Sequence, residues 1–400
     1  MAKRKVSKSR SIFASVISLV IGIIISLFAF GFLSLPESYI VPEKVQGSNY
    51  VSSTTGIDSQ VVSNEELSIH FLELGNKYTG DCTLIKVGNT EILIDAGSKA
   101  SSIPFIEEYL NKYVSDGKLE YVVVTHAHED HYAGFATNNG TDSLFDKFEI
   151  GTIIEFAQTN QTLSKKLYSN YIRERDEAVS RGAECFTALE CVNNLANNNG
   201  KLAQSKYELG ESGSGISMQI LYQKFYEEHA TTENNYSVCL QIVQGQNKYL
   251  FTGDLEAEGE SSLVDENQDE LGKVQLYKAG HHGSKTSSST KLMDIIQPEI
   301  VCVCCCAGSS EYTSKNENQF PTQDFINRVS VHTDQIYVTT ICLDYSANKF
   351  ESFNGTIVIC ASKNITSTEI DIKLFFSNNS TKLKNTEWFA KNRTLPVGVK

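Results

Sequence analysis

Residues 122–134, VVVTHAHEDHYAG, put three of the chain's eight histidines and an aspartate within six positions, directly after an apolar run. His126 and His128 are two apart and can grip one ion, while Asp130 and His131 can grip a second. Imidazole with carboxylate suits zinc, and manganese or iron once oxygen ligands are added. The stretch is not a helical HExxH site, because Glu129 has no histidine at the needed offset and the residues leave a strand. A solvated polar loop does not account for three imidazoles and a carboxylate in so few positions.

Similar residues end other apolar runs. LIDAG places Asp95, LFTGD places Asp254, and LYKAGHHGS places His281 and His282. Each alone has an ordinary explanation as a cap or a turn. Five of the eight histidines nevertheless fall in two strand-end clusters, and with the acids they describe one rim. His70 and His332 stand apart and read as ordinary core or surface histidines.

The elements that position this rim alternate from residue 67 onward. LSIHFLELG reads as a strand, and CTLIKVGNTEILIDAG as two strands around the Gly88-Asn89 turn. SIPFIEEYLNKYV has helical spacing with Pro104 near its start. LEYVVVTH is a continuous apolar strand, buried on both faces. Residues 159–181 predict a polar amphipathic helix, and YSVCLQIV with NKYLFTGD a hairpin. VQLYKAGHHG, EIVCVCCCAG, QIYVTT and GTIVICAS complete the strands. The class is α/β, with sheets covered by helices. Ligands at the ends of rigid buried strands keep little freedom, as a metal site requires. In EIVCVCCCAG, Cys302, Cys304 and Cys306 share one strand face and read as small buried hydrophobes. Whether Cys185 and Cys191 pair stays open.

The order of Asp95, HxHxDH at 126–131, Asp254 and His281-His282 resembles the metallo-β-lactamase fold superfamily. FTGDLEAEGE and KAGHHGSKTSS resemble more specifically the extracellular hydrolase domain of the competence protein ComEC and its stand-alone relatives. GDCTLI, NNYSVCLQI and NGTIVI fit the same pattern, which covers about residues 67–360. The resemblance implies an αββα sandwich with two divalent metal ions at one edge, zinc first and manganese as the alternative. It implies His126 and His128 on the first ion, Asp130 and His131 on the second, and Asp254 bridging. His282 would complete the second site, and His281 would be a substrate contact or proton donor. Asp95 would orient the ligand loop. Many ComEC-type domains carry an aspartate where this chain has His128, and the superfamily's third histidine for the first ion has no clear match. His229 is the only histidine between the motifs and is its candidate.

The chemistry implied is hydrolysis by a metal-bridging hydroxide, since a bound divalent ion lowers the pKa of its water from ~15.7 to about 7. Ser284 and Lys285 could bind a phosphate oxygen beside a serine-capped helix start. The substrate implied is a phosphodiester, with DNA among the candidates. The alternatives are a small cell-surface ester, such as a choline phosphodiester, and a non-catalytic scaffold.

Charge and hydropathy frame that domain. Residues 12–35 carry no charge, enough for a span of roughly 20 residues, and are longer than the apolar part of a cleaved signal peptide. Five cations and no acid precede them, which predicts a cytoplasmic N-terminus and places the rest outside the cytoplasm. The layout expected is a basic tail (1–11), a transmembrane signal-anchor (12–35), a flexible linker (36–66), the hydrolase domain (67–362) and an extension of one strand and a loose end (363–400). One span leaves no channel for DNA. The formal net charge is −13, so the chain after residue 10 carries −18. Nonspecific DNA binding draws on Lys and Arg, and no basic tract or aromatic-basic interleaving lies near the motifs. No protein partner is legible.

Overall fold

The computed structural model describes residues 50–137, 140–363 and 369–399. The basic tail and signal-anchor lie outside the described residues. Among those described, no helix is long and apolar enough to cross a membrane.

Among the described residues, seventeen strands follow one another as β1 (Tyr50–Thr55), β2 (Leu67–Phe71), β3 (Thr83–Val87), β4 (Thr90–Ile94), β5 (Lys118–Val124), β6 (Glu149–Glu155), β7 (Glu184–Thr187), β8 (Lys206–Leu209), β9 (Ile216–Leu221), β10 (Cys239–Gln244), β11 (Asn247–Phe251), β12 (Leu276–Lys278), β13 (Ile300–Ala307), β14 (Ile336–Asp344), β15 (Lys349–Ser352), β16 (Ile357–Lys363) and β17 (Ile370–Phe376). They form two sheets, of order β1-β17-β16-β2-β3-β4-β5-β6-β7 and β15-β14-β13-β12-β11-β10-β9-β8. The strands that carry the rim, β4, β5 and β6 in one sheet and β11, β12 and β13 in the other, pair in parallel. Parallel neighbours end on the same side, so the loops that leave them gather at one edge.

The sheets pack face to face over one continuous apolar layer. Phe71 stacks on Phe251 across it at 6.2 Å, and Tyr337 meets Phe376 at 4.9 Å. The helices Ile103–Leu110 and Lys166–Ser180 cover the outer face of the first sheet with Ile103, Ile106, Leu110 and Tyr171. A second core, with Leu263, Leu292, Met293 and Phe325, covers the outer face of the other sheet. The αββα layering implied by the resemblance is therefore present. β13 shows the period-two logic: Cys302 and Cys304 face the inner core, while Val301, Val303 and Cys305 face the outer one. All ten cysteines are free, Cys185 and Cys191 included.

Two boundaries differ from the sequence reading. The linker expected over 36–66 holds structure from residue 50 on: β1 pairs in parallel with β17, and Asp58 caps the helix Ser59–Ser63 through the amides of Gln60 and Val61. YVSSTT is rich in β-branched and aromatic residues, and an edge strand needs pairing on one side only. The extension does supply one strand, but β17 lies inside the sheet, between β1 and β16. Its end is not loose: the helix Glu387–Asn392 buries Phe389, and buried Arg393 donates to the carbonyls of Pro321, Asn316 and Gln319.

Candidate metal centre

Three loops of the first sheet are zipped together by backbone bonds. Asp81 N donates to Asp130 O at 3.0 Å, Gly97 N to Asp81 O at 2.8 Å, Ala96 N to His131 O at 2.7 Å and Gly134 N to Ala96 O at 2.6 Å. A Cβ at Gly97 would collide with the Asp130 carbonyl oxygen, so only glycine admits this approach. Asp95 follows β4 in the left-handed region, at φ 57°. Its carboxylate accepts from Thr125 N and Thr125 Oγ1 at 2.8 Å each and from His131 Nδ1 at 2.8 Å. Asp95 thus fixes the His131 tautomer and aims Nε2 away from itself.

The second sheet supplies the facing groups. Asp254 follows β11, its amide held by Ser237 Oγ at 3.0 Å. His281 and His282 follow β12, both left-handed at φ 47° and 54°, which turns successive imidazoles towards the rim. His282 Nδ1 donates to Cys304 O on β13 at 2.9 Å, so its Nε2 also points into the site. Asp254 Oδ2 lies 3.2 Å from His131 Nε2 and 3.3 Å from His282 Nε2. Asp130 Oδ2 is 3.5 Å from His282 Nε2. On the other side, His126 Nε2 and His128 Nδ1 face each other at 3.1 Å, and the His126 ring lies 4.1 Å from that of His131.

The sequence reading missed Asp81 and Lys278. Asp81, His131, Asp254 and His282 are all buried and close enough to share an ion. Asp81, however, approaches both imidazoles from the Nδ1 side, at 3.3 Å from His282 and 3.7 Å from His131. Those nitrogens are already committed to Cys304 and Asp95, and the Asp81 carboxylate also pairs with the buried Lys278 ammonium. Asp81 and Lys278 therefore form the back wall, and the ligand face is the Nε2 side. A signal existed for both: an acid at a glycine turn before β3, and a lone cation inside the apolar run LYKAG.

The donor set fits a metal ion. His131 Nε2, His282 Nε2 and Asp254 Oδ1 are buried without a hydrogen-bond partner, and such atoms are rare in folded proteins. Burial opposes charge on both imidazoles, yet Asp254 with Asp95 raises His131, and Asp254 with Asp81 raises His282, well above the ordinary range. Burial also opposes ionisation of Asp254, but the surrounding histidines hold its carboxyl well below the usual range. The same opposed charges would favour a cation at this point. Burial and the neighbouring His131 and His128 push His126 down, leaving it neutral.

A cavity of about 490 Å³ opens onto the cluster, lined by His128, Asp130, Asp254, His281, His282 and Tyr312 among others. His281 lies more to the outside than His282, with its side chain 19% exposed and Nε2 3.8 Å from Asp254 Oδ2. Two expected site residues are not brought into the cluster. His229 is exposed and its Nδ1 bonds Tyr236 Oη at 3.0 Å, in the loop before the helical turn Glu233–Tyr236. Lys285 extends to Asn318 Oδ1 at 3.1 Å, one residue removed from the cavity, and Ser289 caps the helix that follows.

Residues 75–137, the segment from the Asp81 turn through the HxHxDH loop, match the model of the Metallo-beta-lactamase superfamily. Over that segment the chain is similar to the metallo-β-lactamase superfamily, and its two-sheet αββα layering agrees with that similarity. Its similarity extends to the competence protein ComA of Neisseria gonorrhoeae, 38% identical over 100 residues, which are 25% of this chain and 13% of that protein. Recombination protein 2 of Haemophilus influenzae is 28% identical over 137 residues, 34% of this chain and 16% of that protein. The chain thus spans less than a fifth of either relative. Among solved structures it is similar to the metallo-beta-lactamase fold protein YhfI of Bacillus subtilis, at 13% identity and a TM-score of 0.30, covering 53% of this chain and 70% of that one. The resemblance to ComEC-type domains holds over these segments, and the buried Asp81, His131, Asp254 and His282 cluster beside them could hold a metal ion.

Proposed function

We propose that the chain is a dinuclear metal-dependent phosphodiesterase. In this reading residues 12–35 anchor it in the cell membrane, the catalytic domain faces outward, and DNA is among its substrates. The observation that carries it is the convergence of His131 Nε2 and His282 Nε2 on Asp254 Oδ2 at the floor of an open cavity. His126 and His128 would hold one ion, Asp130, His131 and His282 the other, with Asp254 between them. Two divalent ions supply Lewis acidity and a nucleophilic water at neutral pH. The chain's own residues do the rest. Asp95, Cys304 O and the Asp81–Lys278 pair hold the imidazoles in one tautomer, and His281 presents a ring to the leaving oxygen. The names of the relatives, competence and recombination proteins, support a nucleic-acid ester. The −18 carried after residue 10 favours, as a second reading, a small diester over a polyanion.

The test uses the full chain in detergent, because truncation at residue 60 would remove edge strand β1. Metal content is measured, then bis-p-nitrophenyl phosphate and single-stranded DNA are tried in parallel with Asp130→Ala as control. About two ions per chain, with both substrates cleaved and the variant inactive, supports a nuclease. Cleavage of the small ester alone moves the reading to a small diester. Two ions and no turnover of either overturns it.

A further inference from the structure

Tyr312 lies in the loop between β13 and β14, where no motif marks it. Its hydroxyl donates to Asp130 Oδ2 at 2.7 Å, and its ring sits 5.8 Å from Phe320. Phe320 in turn packs against the rings of His281 and His282 at 5.6 and 5.9 Å. Tyr312 is 57% exposed, yet it lines the cavity beside the cluster. Its loop is held rather than loose: Gly308 N donates to Phe320 O at 2.8 Å, and Arg393 binds three of its carbonyls. An accessible hydroxyl on a braced loop is preorganised for a ligand.

The charges around it show what that ligand would lack. Glu129, Asp130, Asp254 and Glu311 all line the cavity. Among the described lining residues the one ammonium is Lys99, and it is bound to Glu129 at 2.9 Å. A phosphoryl anion entering here meets carboxylates that repel it, and that one ammonium is already paired. The Tyr312 hydroxyl already acts as a donor here, towards Asp130 Oδ2.

We propose that Tyr312 is a catalytic residue that touches the substrate: its hydroxyl passes from Asp130 Oδ2 to a non-bridging phosphoryl oxygen. There it stabilises the charge that builds as the bond to the leaving oxygen breaks. This rests on the phosphodiesterase reading and adds a donor that neither the metals nor the histidines supply. No proton is transferred in this step: the phenol donates a hydrogen bond and no bond to hydrogen breaks.

The test is Tyr312→Phe in the full chain, which keeps the ring against Phe320 and removes only the hydroxyl. Metal content, kcat and KM for bis-p-nitrophenyl phosphate, and the Kd for inorganic phosphate are measured on metal-loaded protein. The expected result is unchanged metal content, a kcat lower by about 100-fold with KM moving far less, and a phosphate Kd weaker by about tenfold. Wild-type kcat and phosphate affinity would overturn the proposal. So would lost metal with unchanged phosphate affinity in the loaded fraction, which would leave the hydroxyl serving Asp130 alone. If the unsubstituted protein binds phosphate but cleaves no diester, the phosphodiesterase reading fails by itself. The phosphate Kd then still decides whether Tyr312 contacts the anion.

Discussion

Two sets of fully buried histidines sit in the same sandwich and behave oppositely. His70, on β2, has both ring nitrogens satisfied, Nδ1 by Tyr109 Oη and Nε2 by Ser68 Oγ, each at 2.8 Å. Tyr109 and Tyr113 pack against its ring edge-on. Burial, helped by the Lys86 charge, lowers its pKa to about 3. His131 and His282 have one nitrogen fixed by Asp95 or Cys304 and the other bare against a carboxylate. Burial alone does not mark a ligand. What marks His131 and His282 is a buried nitrogen left without a partner while its twin is locked.

The comparison can be broken at each of its parts. Asp254→Asn should have the largest effect, because it removes the charge on which both bare nitrogens converge. Metal content and diester turnover should fall well beyond the ~100-fold typical of residues that only orient a ligand, while circular dichroism shows a folded chain. Retained metal would break the assignment of the floor. Asp95→Asn removes the charge that locks His131 but no ligand, so metal affinity should weaken by about 10–100-fold, read by chelator competition.

His70→Gln should leave metal affinity unchanged and alter acid stability instead. The unfolded chain takes up this proton near pH 6.5, whereas the folded protein takes it up only near pH 3. Stability from this group is therefore full above pH 6.5 and is lost as pH falls towards 3. Removing the imidazole should flatten the stability slope in that window by about 1.4 kcal/mol per pH unit, measured by urea unfolding across the range. An unchanged slope would mean that His70 is not held neutral. His229→Ala should do least, with metal content and turnover unchanged. A lost ion there would restore His229 as a ligand.

The sequence made the site legible where chemistry is contiguous. HxHxDH and His281-His282 are local clusters, and Asp95 and Asp254 stand at the ends of apolar runs. The same alternation exposed β13, whose two faces enter two cores. Asp81 and Lys278 were hidden because their meaning lies in each other: one turn in the first sheet meets one strand in the second. Tyr312 carries no local signal at all, since loop position decides its contact with Asp130. β1 was hidden by polar composition, because YVSSTT has the residues of both a tether and an edge strand. The anchor expected at 12–35 stands on hydropathy alone.

The Asp81–Lys278 back wall sets the sign of the field at the cavity floor. Asp81, Asp95, Asp130 and Asp254 bring four carboxylates to the cluster and Lys278 one ammonium. With His131 and His282 holding their protons, the volume carries a net charge of minus one. Two divalent ions in place of those two protons would bring it to about plus one. Loading would therefore raise the charge at the floor by about two, beneath a wall that still carries Glu129 and Glu311. An anion would meet less repulsion in a loaded centre than in one that holds protons in the metals' place.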